Sequence, residues 1–319
     1  MKSSHHITWL LHHEPIDLFV RTAKAFSSKI AELTEGRIRV DVFTMKEYAD
    51  KFNNGIEFEP VALMQQNHVQ MSQLKTNELA KWTATDFWSF DMPYLFRDHD
   101  HCSRVIEGKI GEDLLNDLSV KTPVRGLAFT YSGGYYVMAS NSPITTAEDL
   151  KGFNVVTRFH PVVIDTAKAF GCNTTVVSVR DHSKQSKEVR EKSDAIQTTL
   201  PRYKNETKYG VHKHVTNTEH AMYLTTIIVS NDFWNQLDDE DKEYVRAAAR
   251  HSAKLERQWT LEESEALANS KQGQLDLGIE SYCEFPEQEK DKLKKAVEPV
   301  YQKYKDFFSP GLLDKIINA

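Results

Sequence analysis

HITWLL (His6–Leu11) and RIRVDVF (Arg37–Phe43) flank a stretch with a different rhythm. The first alternates and then turns wholly apolar, which reads as a buried strand, and the second alternates cleanly as another strand. Between them Leu18, Phe19, Ala23, Phe26, Ile30 and Leu33 recur at helical spacing over Asp17 to Glu35, and Gly36 supplies a C-terminal stop. HHEP breaks the first strand from this helix. Strand, helix, strand is the opening of an α/β domain.

The same alternation continues along the chain. PVALMQQNHVQMSQL predicts a short helix at about Pro60 to Gln66 and a strand from Val69 to Leu74. An aromatic turn, DFWSFDMPYLF, leads into a helix carrying Val105, Ile106, Ile110, Leu114, Leu115 and Leu118. RGLAFTYSGGYYVMAS (Arg125–Ser140) is a long strand region interrupted by Gly133 and Gly134; such a pair marks a bulge or a close backbone approach. FNVVT, TTVVSV, SDAIQTT and HAMYLTTIIVS read as further strands, with PVVIDTAKAFG as a helix closed by Gly171. One or two long helices begin near Asn231 and Asp238, both acceptable N-caps. A strand near Ile279 to Phe285 and terminal helices complete the order. This pattern predicts two lobes with residues 1–124 plus 210–250 in lobe I and 125–209 plus 251–319 in lobe II, and the cleft between them is the natural ligand site.

The 319 residues are 40% hydrophobic and 27% charged, with a net charge of −6 and both signs interspersed. That composition suits a globular protein with a large core. No basic stripe points to nucleic acid and no Lys/Arg block to an anionic membrane. No apolar run is long enough to insert across a bilayer. The first strand begins by about His6, so the sequence as given carries no signal peptide: either one has been removed and the protein is periplasmic, or Met1 is the native start and it is cytoplasmic. Cys102, Cys172 and Cys283 have neither disulfide-framework nor zinc spacing.

Candidate chemistry is sparse. SGGYY lacks the dinucleotide spacing, no phosphate-binding loop or nucleophile elbow occurs, and no nucleophile–base pair or carboxylate pair can be named, so no catalytic residue or cofactor is assigned. His5/His6 and His12/His13 are adjacent and point to opposite faces; His212 and His214 would share a strand face, but solvated or core histidines are the ordinary reading, and no metal is assigned. Asp194 and Glu219 read as structural. The aromatic cluster Trp82, Phe87, Trp88, Phe90, Tyr94 and Phe96 reads as core, with Phe87 or Trp88 placed to reach a cleft. Arg158, between VVT and FHP, is placed to clamp a carboxylate or to pair with a surface acid. Gln197, Thr198 and Thr199, just before Pro201, are either solvated or line a cleft.

DFWSFDMPYLFRDHDH, GKIGEDLL, AEDLKGFNVVT, HPVVIDTAKAFG, SDAIQTT and TEHAMYLTTIIVSNDFWNQL occur in an order and spacing that resemble the solute-binding proteins of TRAP (tripartite ATP-independent periplasmic) transporters. The resemblance runs from about His6 to beyond Arg250. It implies an α/β, two-lobed periplasmic-binding-protein-like fold with an inter-lobe cleft and a long helix spanning both lobes. It also implies a non-enzymatic protein that traps a small organic acid and delivers it to the membrane subunits of a TRAP permease. Where such proteins carry an arginine shortly after DLKG, this chain has Val156, with Arg158 two residues on. A second arginine position is held by Tyr135 or Tyr136, and a glutamate position by Gln197. On this resemblance the ligand-binding residues are Arg158, Gln197, Thr198, Tyr135, Tyr136, Phe87 and Tyr223. With the charged positions replaced, either Arg158 supplies the clamp or the solute is less charged than a dicarboxylate. The alternative is a cytosolic sensor on the same scaffold, with altered or lost solute binding.

Overall fold

The computed structural model describes residues 4–12, 17–52, 59–81, 85–157, 159–177, 184–207 and 210–319. Its strands are β1 (His5–Leu11), β2 (Ile38–Thr44), β3 (Met71–Lys75), β4 (Val124–Tyr135), β5 (Val137–Ser140), β6 (Asn154–Thr157), β7 (Asn173–Val176), β8 (Ala195–Thr198), β9 (His214–Asn217), β10 (Met222–Ser230) and β11 (Ser281–Glu284). They form two sheets, ordered β2-β1-β3-β10-β4 and β11-β9-β5-β8-β6-β7. In the first, β1 lies parallel to β2 and β3, while β10 runs antiparallel to β3 and β4. In the second, β5 is antiparallel to β8 and β9, and β6 is parallel to β7 and β8. Each sheet with its helices is one lobe, which is the two-lobed α/β fold.

β4 belongs wholly to the first sheet and β9 to the second. The chain therefore crosses between lobes at Tyr136 and again between Asn217 and Met222, not at residues 124 and 210. Gly133 and Gly134, with φ of +106° and +70°, sit inside β4, where the ladder to β10 slips register between Leu224 opposite Tyr131 and Met222 opposite Tyr135. A bulge there bends the strand toward the second lobe.

The third connection is the Asp239–Asn269 helix, 31 residues long, about 46 Å at 1.5 Å per residue. Its middle is bonded to β4: Thr130 Oγ1 donates to the Ala253 carbonyl, and Thr260 Oγ1 donates to that of Tyr131 while accepting from Gly133 N. Its end reaches Leu267 and Ala268, which pack on the second lobe's core of Val137, Val156, Ile196 and Val215. Two helices start close together at its beginning. Asp238 caps the long one, while the Asn231–Gln236 helix is capped by Ser230, whose Oγ accepts from Phe233 N; the Asn231 amide nitrogen donates instead to the Ser119 and Thr122 carbonyls. The terminal helices tie both lobes, Tyr301 OH donating to the Pro93 carbonyl and Tyr304 OH to Asp165.

Candidate functional site

The chain breaks at Pro201 in order to turn. After β8, Leu200–Arg202 forms a single 3-10 turn entered through Thr199, with Pro201 where no backbone donor is needed. The turn sends Arg202 back toward the first lobe. Its guanidinium carbon lies 4.5 Å from the centroid of the Tyr223 ring, and the residue is 4% exposed. Tyr223 is on β10, two residues from Thr225, which pairs with Lys75 at the end of β3. The Lys75 ammonium lies over the same ring at 5.3 Å and over that of Tyr136 at 5.5 Å. Two cations from separate lobes thus converge on one buried tyrosine, a favourable cation–π arrangement in a desolvated place.

A carboxylate faces them. Asp91 Oδ1 is 4.0 Å from Lys75 Nζ, and its Oδ2 is 3.4 Å from Nε2 of His160 in the second lobe. His160 caps the Pro161–Ala169 helix, its Nδ1 accepting from Val163 N. That bond leaves the hydrogen of the neutral ring on Nε2, aimed at Asp91. Burial pushes the imidazole down to about 4, with Asp91 offsetting only part of the effect, so the ring is neutral at pH 7. Trp88 covers it at a ring distance of 5.0 Å. His160 Nε2 and Tyr223 OH are both buried and make no hydrogen bond among the described residues.

The crossing strands close the base of the cleft. Tyr136, whose N donates to the Ala221 carbonyl, stacks on His220 at 6.0 Å and meets Tyr223 edge-on at 5.6 Å. His220 is held on both ring nitrogens, by Thr218 Oγ1 at 2.7 Å and by the Gln197 amide at 3.0 Å. Complete burial pushes it down to about 4 as well.

Tyr136, Gln197, Thr198 and Tyr223 are thus brought into one region, but with separate tasks. The Gln197 amide orients His220, Thr198 Oγ1 donates to the Thr199 carbonyl, and Thr199 packs on Gly133. Tyr135 points the other way, because successive strand residues face opposite sides. Its OH donates to the Phe96 carbonyl and its ring meets His99 at 5.0 Å. It lines a groove of about 1190 Å³ behind the crossing strands, with Tyr94, Arg97, Glu219, Lys290 and Lys294. Phe87 is 1% exposed and packs in the core on Phe129, so its neighbour Trp88 is the aromatic that reaches the cleft. Val156 is buried in the second lobe's core, and Arg158 lies outside the described residues. His212 is hydrogen-bonded to Ser193 and His214 to Ser281; among the described residues no group of His, Cys, Asp and Glu has metal-binding geometry. Lys75, Asp91, His160, Arg202 and His220 went unassigned in the sequence, where only Lys75 at the end of a strand and Arg202 just after Pro201 are set apart by position.

Two α/β lobes meeting on a buried, charged cleft define a solute-binding protein of the clamshell class. The model of the bacterial extracellular solute-binding protein family 7 (DctP) matches residues 12–306, and the chain belongs to that family. It is 25% identical over 282 residues to the C4-dicarboxylate-binding periplasmic protein DctP of Rhodobacter capsulatus, covering 88% of this chain and 80% of that one. The fold matches a TRAP periplasmic solute-binding protein of Ochrobactrum anthropi with a TM-score of 0.83 at 21% identity, covering 99% of this chain and 94% of that one. A Polaromonas counterpart bound to D-erythronate matches with a TM-score of 0.81 at 24% identity, covering 98% of both chains. Membership favours solute capture for transport over a cytosolic sensor. Among the described residues no helix is long and apolar enough to cross a membrane.

Proposed function

We infer that this chain works outside the cytoplasm, capturing a small organic acid between its lobes and delivering it to a TRAP-type permease. The observation that carries this reading is the convergence of Lys75 and Arg202, one from each lobe, on the Tyr223 ring. Both cations are buried at this junction, and an anionic solute there meets one from each lobe. Because the cations come from separate lobes, the anion holds the lobes together, and affinity reports closure. The names of the relatives, a dicarboxylate-binding protein and an erythronate complex, support an organic acid as cargo. Arg158, two residues before His160 in the sequence, is proposed as a further anion contact. Phe87 and Tyr135 are not.

The test is a thermal-shift screen on protein unfolded and refolded to strip carried-over solute. The panel is monocarboxylates, dicarboxylates, amino acids and neutral polyols. At least one carboxylate is expected to raise Tm saturably, by the equivalent of about 2.7 kcal/mol at a hundredfold excess over Kd. No response to any carboxylate, or an equal response to a neutral polyol, removes the reading.

A further inference from the structure

We propose that Tyr304–Ser309 is a strap across the edge of the cleft: it limits how far the lobes part, and its Phe307 is a positioning residue for Trp88, the cleft's aromatic wall. Its bearing on solute capture rests on the organic-acid reading; the device itself does not. The two ends of the strap are fixed to different lobes. Tyr304 OH donates to Asp165 Oδ2 at 2.8 Å, and Lys303 Nζ donates to the same oxygen at 2.5 Å. Asp165 is on the second lobe's Pro161–Ala169 helix, which His160 caps. Further along, Ser309 N and Oγ donate to the two oxygens of Asp86, at 2.7 and 2.5 Å. Asp86 is on the first lobe's Thr85–Asp91 3-10 helix, which also carries Trp88 and Asp91. The strap therefore joins the same two elements that meet across the cleft, where His160 faces Trp88 and Asp91. Tyr304, Phe308 and Asp86 are buried, so the anchors are shielded from water and costly to break.

Between the anchors the chain is coiled, Phe307 N donating to the Tyr304 carbonyl at 3.0 Å. Uncoiled, the stretch from Tyr304 to Ser309 reaches about 17 Å, and beyond that an anchor has to break. The lobes can part by the slack of this turn while the other connections bend. Phe307 lies flat on Trp88, with ring centroids 5.9 Å apart and planes at 7°. It meets Tyr304 and Phe308 edge-on, both at 5.5 Å. Trp88 Nε1 donates to the Asn77 carbonyl within the first lobe. Phe307 is close in sequence to the first-lobe anchor, so when the strap uncoils it stays on Trp88, and His160 is the partner that leaves. Trp88 then stands in place in the open protein, and less ordering is left to do when a solute arrives. Phe307 is 42% exposed, so truncating it tests the position of Trp88 more than the folding of the core.

The experiment uses full-length protein refolded to strip carried-over solute. Spin labels at Lys46→Cys and Lys187→Cys, one on each lobe, report lobe separation by pulsed dipolar spectroscopy; Cys283→Ser removes the one native thiol that is not buried. Three glycines inserted between Lys305 and Asp306 lengthen the strap and leave every anchor in place. The long-distance edge of the distribution is expected to move outward by at least about 3 Å, since three extended residues add up to about 10 Å of reach. Lys303→Met with Tyr304→Phe frees the second-lobe end and is expected to move the same edge; Tm checks that each protein folds. An unchanged edge in a folded protein of either kind overturns the tether. For Phe307, fluorotryptophan labelling gives Trp88 a fluorine resonance, assigned by its loss in Trp88→Phe. Phe307→Ala is expected to broaden or split that line, and Phe307→Tyr, which keeps a ring to stack, to restore a single narrow one. A line as narrow in Phe307→Ala as in the wild type overturns the positioning role. No solute is used, so these results leave the organic-acid reading as it stands, and a failed solute screen leaves the strap as it stands.

Discussion

Glu256 sits in the middle of the lobe-spanning helix with none of its surface exposed. Burial pushes its carboxyl up to about 8, although the Gln73 amide donates to both of its oxygens at 2.8 and 3.1 Å. The native protein therefore holds a proton on Glu256 at neutral pH, and the unfolded chain does not. A raised carboxyl contributes stability that is complete below the ordinary value near 4.5 and is lost as pH climbs through 8, at about 1.4 kcal/mol per pH unit in between as an upper figure. His160 and His220 act on the other side. Each is pushed down to about 4, so the unfolded chain takes up protons below 6.5 that the fold refuses, and stability falls as pH drops from 6.5 toward 4. These three groups together place a stability maximum near 6.5. Glu256→Gln keeps an oxygen for the Gln73 amide and has nothing to ionise. Its Tm difference from the wild type is expected to move in its favour from pH 6 to about 8 and to level off above that in circular-dichroism melts. Parallel curves for the two proteins would show that Glu256 does not carry the alkaline loss.

Strands and turns transmit the cleft's geometry, and Gly133 is where that transmission is tightest. Its φ of +106° is a glycine conformation, and a Cβ there would stand 1.9 Å from Thr199 Oγ1. Thr199 opens the turn that carries Arg202, so a side chain at 133 has to push that turn. Gly133→Ala is expected to cost about 1–3 kcal/mol in urea unfolding, and to weaken solute binding at least tenfold. Gly152→Ala is the control: φ is +80°, with nothing within 4 Å of its Cβ. It is expected to lose stability through strain alone and to keep its affinity. Equal destabilisation with unaltered binding in both proteins would sink the coupling. The glycine pair was visible in the sequence because its neighbours on both sides are strand formers. The helix begins at Asn231 as read, but its cap is Ser230, the residue before, because Ser230 and Asn231 are both good capping types and sequence alone does not choose between them.

At the scale of the whole molecule, the two crossings share one device. Tyr135 and Tyr136 are adjacent, as are Glu219 and His220; the first of each pair lines the groove behind the strands and the second faces the cleft. Cleft and groove are therefore two sides of the same pair of hinge segments. The two-lobed plan was legible because the strand–helix alternation is local, whereas the cations of the cleft were not. Lys75 and Arg202 are 127 positions apart, and in sequence each looks like any solvated charge; only the fold puts both on Tyr223. The back of the hinge offers the last test. Glu219, at φ +50°, is ion-paired with Lys290, whose side chain is 11% exposed on the Glu287–Ala296 helix. This pair fastens one crossing to the terminal helices in the arrangement where His160 and Asp91 touch across the cleft. Lys290→Met removes the tie without touching a cleft residue, so the closed population should fall. The expected result is a three- to tenfold weaker Kd with the order of preferred solutes unchanged, about 0.6–1.4 kcal/mol of closure energy. Small-angle scattering should show a ligand-free variant at least as open as the wild type, compacting only at higher solute concentration. A reordered solute preference, or unchanged Kd and scattering, would mean that the groove side of the hinge does not bias closure.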